Sequence, residues 1–209
     1  MRRSAGRVRF VVSCLGAVLA LGAMASEAAA GPLVREAGRC ETQQLSGPFE
    51  PWLDPARYTP VHDGGLERRG EGWKLRGGAA PAAGNEPWTV ADENDSRSLL
   101  LPAGSSATSP VICVGLAEPT LRFFARSSGG LIAKLEVEVL YEDALGNVHA
   151  MTIGTDSGGR WHPTAIMPVL ANLLPLLPND QTPVAFRFTV LGDADFHIDD
   201  VYVDPWCQR

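Results

Sequence analysis

Lysine is almost missing from this chain: of 18 basic residues only Lys74 and Lys134 are lysines, and the rest are Arg. Basic residues are in turn outnumbered by 24 acidic ones, which leaves a net charge of −6. Nucleic acid and anionic membranes both need a basic footprint, so neither is expected as a partner. Cysteine is scarce, and none of the four stands in a C-x-x-C pair, which excludes the common zinc ribbons and fingers. His62, His149, His162 and His197 are too scattered to suggest a zinc centre. No Gly-rich loop follows a strand and opens a helix, so no phosphate cradle is expected. Beyond residue 30 no apolar run approaches the ~20 residues that a spanning helix needs.

The longest apolar stretch lies at the start. Arg2, Arg3, Arg7 and Arg9 precede an apolar run over 10–24, and Ala28-Ala29-Ala30 places small residues just before Gly31. That order is the pattern of a secretory signal peptide over 1–30. The run is short for a retained anchor. Val11-Val12-Ser13-Cys14 has the form of a lipid-attachment box, yet the apolar run continues past Cys14. The chain is therefore expected to be secreted, extracellular or at the cell surface, with no transmembrane segment after cleavage. Cleavage leaves Cys40, Cys113 and Cys207 in an oxidising compartment, where two of them should pair. Three pairings are open. Cys40–Cys113 is favoured because each flanks a well-formed segment, and Cys40–Cys207, tying the chain ends together, is its rival.

The rest of the sequence alternates. Leu135, Val137, Val139 and Tyr141 interleave with Lys134, Glu136 and Glu138, a period of two that puts one face in a core and one in water. Val184, Phe186, Phe188 and Val190 alternate in the same way around Arg187 and Thr189. Leu121, Phe123 and Ala125 alternate with Arg122 and Arg126, although Phe124 interrupts the polar face. Shorter strands are expected over 72–76, 98–101, 110–116, 148–153, 161–167 and 196–203. Gly- and Ser-rich turns separate them, and Leu145-Gly146-Asn147 reads as a hairpin. About nine or ten short strands at this spacing predict an all-β jelly-roll β-sandwich of two antiparallel sheets. One segment departs from the pattern. Residues 167–177 are Leu-rich, and Pro168, Pro175 and Pro178 allow only a short helical or irregular piece there. Its leucines either plug one end of the sandwich or form an exposed contact patch. Residues 31–57 have little periodicity, and Pro48, Pro51, Pro55 and Pro60 lie within or just beyond them. They read as an extended arm anchored by Phe49 and Trp52, ahead of a sandwich domain over 58–209.

Two pieces carry a family likeness. Gly64-Gly65-Leu66-Glu67 is followed by Gly72-Trp73, and Phe196-His197-Ile198-Asp199-Asp200-Val201-Tyr202-Val203 lies near the C-terminus. With these bookends the region from about 58 to 204 resembles the galactose-binding-like superfamily, in particular bacterial carbohydrate-binding modules of the xylan- and glucan-binding kind. It is also similar to a group of uncharacterised exported bacterial proteins sharing the Trp-Leu-Asp-Pro, Gly-Asn-Glu-Pro and Asp-Val-Tyr-Val-Asp-Pro pieces. The resemblance implies a non-catalytic carbohydrate-binding-like module of unknown ligand, with a structural calcium ion between the early Glu and the late Asp. By position that means Glu67 with Asp199 or Asp200. The opening Phe of the family motif is Leu66 here.

The closing segment adds its own hint. Phe196 and Ile198 share one parity, and Val201 and Val203 share the other. If all four face the core, the strand must slip by one residue near Asp199-Asp200, as a β-bulge does. A carboxylate turned inward there needs a partner, and calcium, which takes oxygen ligands, is a suitable one. Arg68 or Arg69 would serve as well. Sugar stacking calls for aromatic faces with polar groups beside them. Trp88, Tyr141 and Trp161, with Arg122, Glu136, Glu138 and Arg187 on the outward faces of the long strands, are the candidates. Trp161 also sits where the family keeps a core Trp, and Tyr141 follows the apolar parity of its strand. No catalytic set is expected. Thr155-Asp156-Ser157-Gly158-Gly159 resembles a serine-protease nucleophile box, but no histidine box precedes it. No motif singles out a carboxylate pair of the glycosidase kind. The alternative to a glycan-binding module is a structural or protein-interaction component of the bacterial cell envelope.

Overall fold

Alternation in the sequence becomes two antiparallel sheets lying face to face. The computed structural model describes residues 31–37, 40, 43–115, 119–130, 132–169 and 181–205. Residues 1–30, where a signal peptide is expected, Cys207, and residues 170–177 of the Leu-rich stretch lie outside the described residues.

The first sheet contains β1 (Thr59–Pro60), β3 (Ala80–Ala83), β4 (Arg97–Leu101), β7 (Thr120–Ser127), β10 (His162–Pro163), β11 (Met167–Pro168) and β13 (Phe196–Asp204). Its order is β10-β7-β13-β4-β3, with β1 on β13 and β11 on β7. The second contains β2 (Lys74–Arg76), β5 (Ser106–Thr108), β6 (Ile112–Val114), β8 (Lys134–Glu142), β9 (Val148–Asp156) and β12 (Thr182–Leu191). Its order is β2-β5-β12-β8-β9, with β6 on β12. This is a jelly-roll β-sandwich, as the alternation predicts.

The core is the set of inward positions of both sheets. Leu99, Leu101, Leu121, Phe123, Phe196 and Ile198 face Leu135, Val137, Val139, Phe186, Phe188 and Val190, and all are buried. Phe123 meets Phe188 edge to face at 5.2 Å, an arrangement that aligns a positive ring edge with a negative ring face. The slip expected in the closing strand is present. The β13–β7 register shifts between Asp199 and Tyr202, Asp200 takes a left-handed φ of 49°, and Phe196, Ile198, Val201 and Val203 all reach the core. The expected hairpin joins β8 to β9. Gly146 sits at φ 78° there, and Asp143 Oδ1 accepts from the Leu145 and Asn147 amides at 2.8 and 2.9 Å.

Three strands depart from the sequence reading. β1 and β3 lack alternation, and Ser106 of β5 belongs to a stretch that reads as a turn. β3 is Ala-Pro-Ala-Ala, and it survives as a strand because it is the sheet's last, pairing only with β4, where a Pro costs no ladder bond. β5 is recruited between β2 and β12.

Residues 31–57 do not run simply extended. They open with a short helix, α1 (Pro32–Ala37), whose Leu33 packs on Leu140 and Ala185 outside the second sheet. A disulfide then joins Cys40 to Cys113 with Cα atoms 5.7 Å apart. Beyond it Ser46 bridges Tyr58, and a 3-10 turn at Glu50–Trp52 places Phe49 against the outside of the first sheet. The segment thus touches both outer faces. The disulfide encloses a separation of 73 residues, and closing a loop of that size in the unfolded chain is worth about 4 kcal/mol. Cys113→Ser is expected to lower stability by that order in denaturant unfolding. An unchanged midpoint would show that the crosslink adds nothing.

Candidate functional site

The outer face of the first sheet explains the interruption at Phe124. Arg122, Phe124 and Arg126 of β7 point away from the core, as do His197, Asp199 and Tyr202 of β13. The arm covers part of this face. Phe49 stacks on Phe124 at 5.3 Å and meets Tyr58 and Tyr202 edge-on at 5.1 and 5.8 Å. Phe49, Ala56, Tyr58, Phe124 and Tyr202 form a second buried cluster. An apolar residue on an outward parity therefore marks a position that another segment covers.

Arg122 is part of that cover and not of an open surface. It is buried. Its Nη1 lies 2.7 Å from Asp54 Oδ2, its Nε donates to the Thr164 carbonyl at 2.8 Å, and its guanidinium sits 4.6 Å over the Phe49 ring. Asp54 also accepts from the Tyr58 hydroxyl at 2.8 Å and the Ala56 amide at 3.1 Å. Burial alone would raise the Asp54 carboxyl, but the bonds from Tyr58, Ala56 and Arg122 outweigh it and hold it below the ordinary carboxylate range.

Where the cover ends, two indoles remain accessible. Trp52 and Trp88 meet edge-on at 5.1 Å and both rest on Phe124, at 5.2 and 5.5 Å. Trp88 is 43% exposed, and Leu53 beside Trp52 is 95% exposed. With Gly47, Pro48, Glu50, Pro51, Thr89 and Val90 the two indoles line an open groove of about 880 Å³. Trp161 lies on the same sheet face, half-buried, with Arg126 5.4 Å over its ring and His197 edge-on at 6.3 Å.

Trp88 is held by a carboxylate that sequence reading missed. Glu86 is 1% exposed. Its Oε2 accepts from the Trp88 amide at 2.5 Å and its Oε1 from the Val90 amide at 2.6 Å, so the loop winds around its own acid. The Glu86 amide in turn donates to Asp199 Oδ2 at 3.1 Å. Asn85-Glu86-Pro87 carried no periodic signal, because this role is set by an amide and a carboxylate 113 positions apart.

The other candidates stand elsewhere. Glu136, Glu138 and Arg187 are on the outer face of the second sheet, where Arg187 pairs bidentately with Glu138 at 2.6 and 2.8 Å. Tyr141 packs against the main core and stacks on His149 at 5.5 Å. The seven residues expected to bind ligand therefore do not form one site. Trp88, Arg122 and Trp161 belong to one outer face, and Glu136, Glu138 and Arg187 to the opposite one. Strand parity says which side chains point out, but not which of the two outer faces a given strand serves. His162 sets Nε2 on Asp156 at 2.9 Å and Nδ1 near the Arg160 carbonyl at 2.8 Å. Neither ring nitrogen is hydrogen-bonded to a hydroxyl among the described residues.

The bulge gathers carboxylates. Asp199 is fully buried and spends Oδ1 on the Asp200 amide and Oδ2 on the Glu86 amide. Asp200 is 2% exposed, and its Oδ2 has no hydrogen-bond partner. Glu67 is exposed, and its Oε1 accepts from the Ser96 and Arg97 amides, both at 2.7 Å. Arg68 stands 3.9 Å from Glu71 and pairs with none of these acids. Among the described residues no three potential ligands surround one point as a metal site, so Glu67, Asp199 and Asp200 do not converge as they stand. Burial, then the neighbouring Asp200 charge, pushes Asp199 up to about 9. Burial, then Asp95 and Glu86, pushes Asp200 up to about 7.

No family model matches the chain, and no curated protein matches it. Among solved structures it is similar to the family 22 carbohydrate-binding and xylanase modules of Clostridium thermocellum endo-1,4-beta-D-xylanase 10B complexed with xylohexaose, at 17% identity over 72% of this chain, with a TM-score of 0.48. The matched region spans 28% of that protein's chain. It is similar to the C-terminal family 22 module of the same enzyme at 17% identity, covering 68% of this chain and 90% of that one, with a TM-score of 0.43. A family 61 module in complex with beta-1,4-galactotriose is 12% identical over 68% of this chain and 95% of its own, with a TM-score of 0.41.

The raised acids set a pH dependence. The folded state keeps the Asp199 and Asp200 protons to higher pH than the unfolded chain does. That contribution is fully present below the ordinary carboxyl value near 4 and is lost as pH rises through about 7 and about 9. With calcium chelated, the melting temperature is expected to fall between pH 5 and 9, in the direction that proton linkage requires. Asp200→Asn should flatten the part of the fall below about pH 7. A variant with the wild-type slope would show that Asp200 does not titrate there.

Proposed function

We propose that this chain is an exported, non-catalytic carbohydrate-binding-like module whose ligand surface is the Trp52–Trp88 groove. The observation that carries the reading is the pair of indoles left accessible beside the buried rings of Phe49, Tyr58, Phe124 and Tyr202. One side of a pyranose ring presents C–H groups and behaves as an apolar plate, so a flat ring buries it well. Glu50 and Thr89 at the groove supply polar groups for hydroxyls, in the usual pattern of apolar walls with a few placed polar atoms. Export is supported by the Arg-rich, apolar start of the sequence and by the Cys40–Cys113 disulfide, since such bonds persist in oxidising compartments. Among the described residues no helix is long and apolar enough to cross a membrane.

Calcium belongs to the same proposal as a structural ion. Its support is Asp200, a buried carboxylate with one oxygen unpartnered. Asp200 would hold the ion, with Glu67 or the neighbouring Asp95 drawn toward it, and the ion would supply the positive charge that the bulge lacks. Adding calcium to chelated protein is expected to raise the melting temperature by several degrees, as any ligand of the folded state does. No shift at millimolar calcium would remove the ion from the proposal.

Binding to a panel of xylo-, gluco- and galacto-oligosaccharides tests the module itself. Trp88→Ala and Trp52→Ala are each expected to weaken binding at least about tenfold, as truncating an aromatic anchor does, while circular dichroism stays that of the sandwich. Absence of binding to every glycan, or binding that survives both substitutions, would overturn the reading. The charged outer face of the second sheet, with the Arg187–Glu138 pair, favours the alternative of a protein contact in the cell envelope. That alternative stands if no glycan binds.

A further inference from the structure

Gly31 is buried at the start of α1. A Cβ built on it would stand 2.5 Å from Glu142 Cδ, 2.6 Å from Glu142 Oε2 and 2.5 Å from the Gly146 carbonyl oxygen. Only glycine fits so close an approach of backbone to its neighbours. With ordinary bond lengths the Gly31 nitrogen then lies within about 5 Å of the Glu142 carboxylate.

Glu142 is an acid in need of a cation. It is 2% exposed. Its carboxylate accepts from the Leu33 amide, with the Val34 amide 3.4 Å from either oxygen. Among the described residues no Lys, Arg or His forms an ion pair with it. Arg35 of α1 donates Nε to the Gly31 carbonyl at 3.3 Å, and the nearby His149 pairs with Asp143 at 2.9 Å. A buried carboxylate with amide donors but no counter-charge is only partly compensated.

Gly31 is also the residue that follows the small-residue boundary Ala28-Ala29-Ala30. We propose that cleavage of the Ala30–Gly31 bond creates the missing counter-ion. The new α-ammonium of Gly31 pairs with Glu142 and locks α1 onto the second sheet. This rests on the exported reading above. The step is hydrolysis by an endopeptidase. Water adds across the amide, Ala30 leaves as a carboxylate, and the Gly31 nitrogen, released as an amine, takes up a proton at neutral pH. Before cleavage the same nitrogen is an uncharged amide carrying a further residue, so it can give Glu142 no charge. Processing thereby strengthens the docking of Leu33 on Leu140 and Ala185 and of Glu36 on Lys74, 2.8 Å away.

The full chain, exported by a bacterial host and purified after processing, provides the test. Intact mass reports the first residue. Acylation of the α-amine with a succinimidyl ester at neutral pH, followed by peptide mapping, reports its protection. The expected results are a chain beginning at Gly31 and an α-amine that reacts at least about tenfold more slowly than in Glu142→Gln, because a paired, desolvated ammonium must first be released. One Gln inserted before Gly31, leaving Ala28-Ala29-Ala30 as the small-residue boundary, moves the charge away. It is expected to lower the melting temperature by about 3 °C or more in the wild-type background and not in Glu142→Gln. A mass beginning elsewhere overturns cleavage at Ala30 and the inference with it. A chain that begins at Gly31 but is acylated equally fast with and without Glu142, or an insertion equally costly in both backgrounds, overturns the ion pair alone.

Discussion

The constraint on which this structure depends is the parity of β13. That strand lies inside the first sheet, paired with β1, β4 and β7, and must send Phe196, Ile198, Val201 and Val203 into one core. A regular strand alternates faces at every residue, so the four can share a face only if one residue is inserted. The bulge at Asp199-Asp200 is that insertion. Burying large apolar side chains is worth roughly 1.5–3 kcal/mol each, enough to hold Asp200 in a left-handed backbone conformation and to carry two acids out of water.

The acids then shape what surrounds them. Asp199 holds the Glu86 amide, Glu86 holds the Trp88 and Val90 amides, and Trp88 comes to rest on Phe124 beside Trp52. A chain of hydrogen bonds thus runs from the kink in the central strand to the accessible groove. The arm works from the other side. Phe49 and the Asp54–Arg122 pair seal most of the outer face and leave open the strip where the arm and the 84–96 loop meet. The groove is the gap between two covers, each fixed by a buried polar contact.

Legibility differed sharply between fold and site. The long strands were visible because burial of one face writes a period of two, and the slip in β13 was visible because that period breaks. β1, β3 and β5 were not, because Thr-Pro, Ala-Pro-Ala-Ala and Ser-Ala-Thr have weak strand character and pair only because neighbours present free edges. Among site candidates, parity placed Arg122, Glu138 and Arg187 on outward faces. It could not tell that Arg122 lies under the arm, or that Glu138 and Arg187 look away from Trp88.

By itself, then, the sequence determined which residues alternate, where the chain turns, where a strand must kink, and which cysteines could pair. Each follows from local period or from the chemistry of one residue type. Tertiary structure decided which outer face the arm covers, that Cys113 closes on Cys40, that Glu86 organises the Trp88 loop, and that Glu142 lies beside Gly31. These join residues up to 113 positions apart, and no local pattern records a contact made only when two distant backbones are brought together.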